Sequence, residues 1–473
     1  MKKVFLQLLC SIVFFTTIGI SLYDAWSQGI PINSSPNVIG SGARAIGMGG
    51  AFIAIADDAT AASWNPGGLT QLERPEFSMV YTYKYIGEDF ESLPHPELEG
   101  DYSVDFSQLN YMSFVYPFQR TIKGRNLVLS LNYQAKYDFS RELDFYYRDI
   151  SALALGNRAG LHSLVKYKQS GQLATLSPAL GFEITDRLSV GLVLNLWNQS
   201  LIQNNEWTVD QEEYRTLNIN GQVNRASFSH TVIRKKYRDF EGTNVTLGAL
   251  YRLGERWQIG AVYHSKFTAD VDYEEWWIIN RGVGFPGFFY SRRPLKYTFP
   301  ASYGIGVAYR FPNDKLTLSF DVTRCEWDQF VIHDPENRNW LMRKRSGVSN
   351  LPVDWSPHDA TYTVRIGAEY LFFNPNKPRQ SILPSIRAGA FYDPEPSSGR
   401  PDRWFGLGKG DGSVDNYYGI TLGAGCLIKN RINIDAAYVY RWGNDVRKDT
   451  FGFVATDADV DQHLFYLSTV IYF

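Results

Sequence analysis

Between residues 274 and 296 the chain reads EEWWIINRGVGFPGFFYSRRPLK. Trp276, Trp277, Phe285, Phe288, Phe289 and Tyr290 are too apolar for an ordinary solvated connection, and Arg292, Arg293 and Lys296 follow at once. A hydrophobic ligand needs a concave apolar surface with few polar groups, and guanidinium groups hold a carboxylate by charge-assisted hydrogen bonds. The stretch therefore suits an apolar molecule, with or without an acidic head. The same residue types also suit rings that cap a barrel mouth or sit in a membrane interface, with the cations on lipopolysaccharide phosphates. Other chemistry has little support. The histidines at 95, 162, 230, 264, 333, 358 and 463 form no pair at metal spacing. No G-x-S-x-G occurs, and GSGARAIG misses the G-x-G-x-x-G spacing. DGSVDN at 411–416 alternates carboxylates like a calcium loop but lacks the distal glutamate, and reads as an exposed loop. No enzyme, metal or cofactor is expected.

The elements that would carry this stretch are strands. From Arg431 to Trp442, Ile432, Ile434, Ala436, Tyr438, Tyr440 and Trp442 share one face, while Arg431, Asn433, Asp435 and Arg441 share the other. Leu188–Leu196, Leu316–Val322, Val245–Tyr251 and Tyr418–Cys426 alternate in the same way. Such segments fall at 76–85, 107–117, 126–138, 172–184, 187–200, 243–253, 256–270, 297–311, 315–328, 360–373, 380–393, 415–428, 431–442 and 462–473. Many exceed the usual soluble strand of about 5–6 residues and suit a tilted bilayer crossing, which needs roughly 9–11. Every link from an even to an odd segment is short, such as Thr185-Asp186 or Lys429-Asn430, and every link from odd to even is long. That alternation is what short periplasmic turns and long outer loops require. The expected fold is all-β, a 14-stranded antiparallel transmembrane β-barrel in the bacterial outer membrane, spanning 75–473. A net charge of -2, from 47 basic and 49 acidic residues, gives no field to recruit nucleic acid.

The start of the chain has two further parts. Lys2 and Lys3 precede the apolar run VFLQLLCSIVFFTTIGISL, and Ala25-Trp26-Ser27 offers a small-x-small site, so 1–27 reads as a signal peptide cleaved before Gln28. Cys10 leaves with it; Cys325 and Cys426 remain, far apart, and one disulfide is possible but unsupported. Residues 28–74 hold GARAIGMGGAFIAIADDATAASWNPGGLT, almost all small side chains, at the periplasmic side of the first strand. Small residues let backbone approach a wall closely. AFIAIADDATAA suits a short helix after Gly50. Asp57 and Asp58 suit either solvent or pairing with Arg187, Arg431 or Arg441. Asn65-Pro66-Gly67-Gly68 reads as a turn.

This segment resembles the N-terminal hatch of FadL-type outer-membrane transporters of long-chain fatty acids and other hydrophobic compounds. That family carries an Asn-Pro-Ala motif in its hatch; here the motif is Asn65, Pro66 and Gly67, with glycine in the third place. The aromatic end at Phe473 resembles the signal read by the barrel-insertion machinery. The resemblance implies a hatch within the lumen, a ligand captured by outer loops and passive release after hatch movement, with membrane lipid and lipopolysaccharide as surroundings. PorV-type barrels, which dock secreted proteins, are similar in the same segment and imply the alternative role.

Overall fold

The computed structural model of the protein describes residues 37–38, 40–92, 99–122, 124–152, 158–202, 205–219, 222–223, 227–284, 286–312, 314–350, 352–374, 380–397, 412–447 and 456–473. The signal peptide at 1–27 and Phe285 lie outside the described residues.

Alternation sets the architecture. In β1 (Glu76–Ser92), Met79, Tyr81, Tyr83 and Tyr85 face outward, while Ser78, Val80, Thr82 and Lys84 are buried. Continuing the chain are β2 (Gly100–Ile122), β3 (Arg125–Asp138), β4 (Arg141–Ala152), β5 (Arg158–Glu183), β6 (Leu188–Asn198), β7 (Glu206–Ile219) and β8 (Phe228–Leu253). Then come β9 (Trp257–His264), β10 (Phe267–Arg281), β11 (Gly287–Phe299), β12 (Ser302–Arg310), β13 (Leu316–Cys325), β14 (Val331–His333) and β15 (Lys344–Ser346). The last are β16 (Thr361–Leu371), β17 (Ile382–Tyr392), β18 (Tyr418–Ile428), β19 (Ile432–Arg447) and β20 (Thr456–Tyr472). Antiparallel pairing runs through β1, β2, β3, β5, β6, β8, β9, β12, β13, β16, β17, β18, β19 and β20 and returns to β1. This is the closed 14-strand barrel; each expected segment overlaps one of its strands, and 256–270 and 297–311 also run onto β10 and β11. Outward-facing Phe114, Leu131, Leu194, Ile305, Phe320, Ile366, Leu422 and Leu467 contribute its apolar band.

The long odd-to-even links are not loops. β4, the upper half of β5, β7, the upper half of β8, β10, β11, β14 and β15 form a second continuous sheet above the barrel. β5 and β8 have 26 residues each, about 85 Å at about 3.3 Å per residue, against a hydrocarbon core of about 30 Å. The upper sheet has a charged outer face, where Glu142 meets Lys168, Arg234 meets Asp210, and Lys296 meets Asp270 across strands. Its inner face buries Phe145, Val165, Tyr167, Trp207, Val209, Tyr273 and Leu295.

One place in the wall is interrupted. β2 pairs with β3 only from Tyr111 onward, so among the described residues the β3-facing edge of Gly100–Asn110 has no strand partner and β4 pairs with β5 alone. At that height the β3–β5 register slips between Ala135 and Tyr137. The bulge places Ala135, Lys136, Tyr137, Asp138 and Phe139 in succession among buried residues, where a regular strand would alternate. Cys325 and Cys426 are both free thiols.

Candidate functional site

Residues 40–72 cross the ring. The helix Ala43–Gly47 lies against β17, β18, β19 and β20, and the 3-10 turn Pro66–Gln71 lies against β3, β5, β6 and β8 on the opposite side. The fit is made by glycines of the wall. A Cβ on Gly248 would strike Asn65 and Pro66, one on Gly260 would strike Ile53, one on Gly367 Met48, and one on Gly389 Gly49. Gly191 is similarly closed by Pro66, and Gly423 by Gly47. Hydrogen bonds hold each side: Ala43 N–H donates to Ser468 Oγ (2.7 Å), Gly49 N–H to Thr421 Oγ1 (2.9 Å) and Ile53 N–H to Asp321 Oδ2 (2.8 Å). Asn65 is fully buried; its Nδ2 donates to Ile53 O (2.8 Å) and Ala249 O (2.9 Å), and its Oδ1 accepts from Gly67 N–H (3.0 Å). Asn65 thus caps a helical turn and ties it to β8. Gly67 serves close approach rather than looseness, because a Cβ there would sit 3.0 Å from the Ala249 backbone.

Charge in this segment is organised by a residue the sequence reading passed over. Arg44 binds Asp57 (2.5 Å) and Glu369 (2.8 Å) and lies 3.7 Å from Asp58; Glu369 also binds Arg387 (2.8 Å), which binds Asp435 (2.7 Å). The expected partners are not used: Arg187 and Arg431 are exposed, and Arg441 pairs with Glu395 and Asp393. Arg44 is closer in sequence and already inside. Burial pushes the Asp58 carboxyl up, against Arg44 and the Thr60 donors, which pull it down. The short helix expected after Gly50 falls instead at Ala43–Gly47 and Ala61–Trp64, and 51–60 is a series of turns.

Above this segment the bore becomes polar and then aromatic. Tyr111 Oη lies 2.9 Å from Ala59 O and 2.7 Å from Asn132 Oδ1, and Asn195 Nδ2 donates to Thr246 Oγ1 (3.1 Å). Higher, Trp197 stacks on Phe267 (centroids 5.3 Å apart, 14° between planes), and Phe267 on Phe299 (5.0 Å, 8°). Tyr137, Phe240, Trp207, Tyr297 and Phe330 extend the cluster. The bulged Lys136 places its ammonium 5.9 Å from the Trp197 ring, and it has no ion pair among the described residues.

The stretch at 274–296 is not a loop but most of the β10–β11 hairpin. Its large apolar residues pair across strands: Trp276 with Tyr290 (rings 5.5 Å apart), Trp277 with Phe289, and Ile278 with Phe288. Phe288, Phe289 and Tyr290 are 69%, 54% and 46% exposed at the tip, while Trp276 and Trp277 are half-buried. The inner face continues downward through Glu275 with Ser291 and Tyr273 with Arg293 to Val271 and Leu295, Tyr297, and Phe267 with Phe299, so a short polar stretch separates the tip from the aromatic cluster. Each cation already faces a carboxylate: Arg292 meets Asp272, Arg293 Nε lies 3.0 Å from Asp334, and Lys296 lies 3.3 Å from Asp270.

At the opposite, periplasmic end a cleft is lined by Arg44, Ile55, Asp57, Arg252, Arg256 and Arg310 together with the Gly254–Glu255 turn.

A closed barrel with an apolar outer band, crossed by its own leading segment beneath an aromatic chamber, defines a class of outer-membrane transport proteins. The chain belongs to the family described as outer membrane protein transport protein (OMPP1/FadL/TodX), which matches residues 23–465. Its fold is similar to the crystal structure of a Pseudomonas aeruginosa FadL homologue (TM-score 0.57, 16% identity, covering 92% of this chain and 99% of the other). It is similar also to the CymD monoaromatic hydrocarbon channel (TM-score 0.51, 16% identity, 93% and 99%) and to the P. putida toluene transporter TodX (TM-score 0.52, 12% identity, 92% and 99%). Among curated proteins no relative is found.

Proposed function

We propose that this protein carries hydrophobic small molecules, such as long-chain fatty acids or aromatic hydrocarbons, passively across the outer membrane. The observation that carries the reading is the track of aromatic residues that starts at the exposed tip, Phe288 and Phe289, passes the polar stretch of Glu275, Ser291 and Arg293, and ends on the stacked rings of Trp197, Phe267 and Phe299. An amphiphile entering that track loses water at about 0.8 kcal/mol per buried CH₂, which offsets the charged polysaccharide barrier outside. Residues 28–74 act as the plug. Release follows a local shift of Asp58–Thr60, which touches Tyr111 and Ser113 through Ala59, toward the wall break beside β3. Solved relatives bearing hydrocarbon-channel names support the substrate class.

The test is uptake of toluene and of oleate by cells or proteoliposomes carrying the protein. Trp197→Ala with Phe299→Ala should reduce uptake of both at least tenfold; uptake equal to wild type would refute the reading. One observation favours the second role, docking of secreted proteins: the tall upper sheet exposes its apolar tip well beyond the barrel. In that case a secreted partner co-purifies, and Phe288→Ser with Phe289→Ser releases it without changing toluene uptake.

A further inference from the structure

Asp334 is the least solvated carboxylate of the upper sheet. It is 0% exposed, and neither oxygen has a hydrogen-bond partner among the described residues. Its nearest cation is Arg293, whose Nε stands 3.0 Å from Oδ2 yet makes no well-directed hydrogen bond. One guanidinium therefore stands against this carboxylate at the top of the aromatic cluster, with Arg293 also 5.0 Å above the Tyr273 ring. A buried carboxylate that gains a charge partner but few hydrogen bonds is held weakly for its desolvation cost.

Asp334 also belongs to a strap. It follows β14, which pairs with β11 through Lys296–His333 and Tyr297–Ile332, and its N–H donates to Arg343 O (2.8 Å). The strap inserts Phe330 beside Phe299 (5.2 Å) and closes on it with Gly347, whose N–H donates to Phe330 O (2.7 Å). The group that pairs with Arg293 is therefore carried on the element that covers the rings.

We infer that Asp334 is an internal substitute for a ligand's carboxylate: it pairs with Arg293 as the structure shows, and a carboxylate-headed amphiphile displaces it. This rests on the transport reading above and adds a device that sets preference between acidic and neutral ligands. In the resting state Asp334 competes with an acid for Arg293, whereas a neutral molecule of the same chain length has no competitor.

The test uses two brominated probes differing only in charge, 9,10-dibromostearate and its methyl ester, with quenching of tryptophan fluorescence in the purified full-length protein at pH 8. Trp197, Trp207 and Trp327 lie in the chamber. Asp334→Asn should tighten the acid threefold or more and leave the ester unchanged. Adding Arg293→Gln should abolish that gain. Retention of the heat-modifiable band on a gel confirms that each barrel is folded. The inference is overturned if the acid is unaffected by Asp334→Asn or if acid and ester tighten by the same factor. If neither probe quenches the wild type, the transport reading itself falls and takes this inference with it.

Discussion

Asn65 does three jobs with one side chain, and each is measurable. Its amide donates to the buried carbonyl of Ile53 and to Ala249 O of the wall, and its oxygen caps the turn at Gly67. Asn65→Ala removes the amide's hydrogen bond to the buried Ile53 carbonyl, at about 1–3 kcal/mol, together with the tie to Ala249, and should loosen the crossing segment without opening the barrel. The expected result is frequent flicker in planar-bilayer recordings with an unchanged heat-modifiable band. Gly248→Val attacks the same contact from the wall, since any Cβ there meets Asn65 and Pro66. It should raise ion conductance as steadily as the amide variant raises flicker; silent recordings would show that the contact does not close the bore. These wall glycines were legible and went unread. LGALY (247–251), IGAVY (259–263), IGVAY (305–309), IGAEY (366–370) and AGAFY (388–392) repeat one pattern. In each, glycine faces in toward the segment and tyrosine, three places on, faces out. Alternation showed the faces, but the partner of a missing side chain is visible only in three dimensions.

Among the elements, β3 and the loop around His358 invite the clearest tests. Deleting Lys136 removes the extra residue of the bulge and should restore regular pairing between β3 and β5. If the break is the exit, uptake of toluene falls at least tenfold while probe binding persists; unchanged uptake assigns release elsewhere. His358 joins three chain segments: its Nδ1–H donates to Ser397 O (3.0 Å), and its Nε2 accepts from the hydroxyls of Ser346 (2.5 Å) and Ser356 (3.1 Å). Burial lowers its pKa, against the Ser397 carbonyl, Asp328 and Asp359, which raise it. The unfolded loop therefore binds the proton more readily. The stabilisation is fully present above the ordinary histidine value near 6.5 and is lost as pH falls below it. A spin label at Val353→Cys should become more mobile between pH 7.5 and 5, and His358→Ala should make its mobility independent of pH. The barrel strands were readable because each buries one face and bares an oily one. The hairpin at 267–299 was not, because its outer face is charged and its tip apolar on both sides, which mimics an irregular loop.

For the whole molecule, the ladder that closes the ring contains no residue of the segment inside it. All fourteen barrel strands pair without any residue before Glu76. Removing residues 40–72 should therefore leave a folded, heat-modifiable barrel with a large, steady conductance, where the intact protein passes little current. Loss of the barrel instead would make the segment part of the folding core. What the sequence could not convey is the choice among cations: Arg44, rather than Arg187, Arg431 or Arg441, meets Asp57 and Asp58 because of where the ring places it. The repeated wall glycines carry one more implication, for protein engineering. Leader and cylinder are cut to each other like key and lock, so a leader transplanted into a sister barrel will seat only where the recipient has a bare backbone under every tooth.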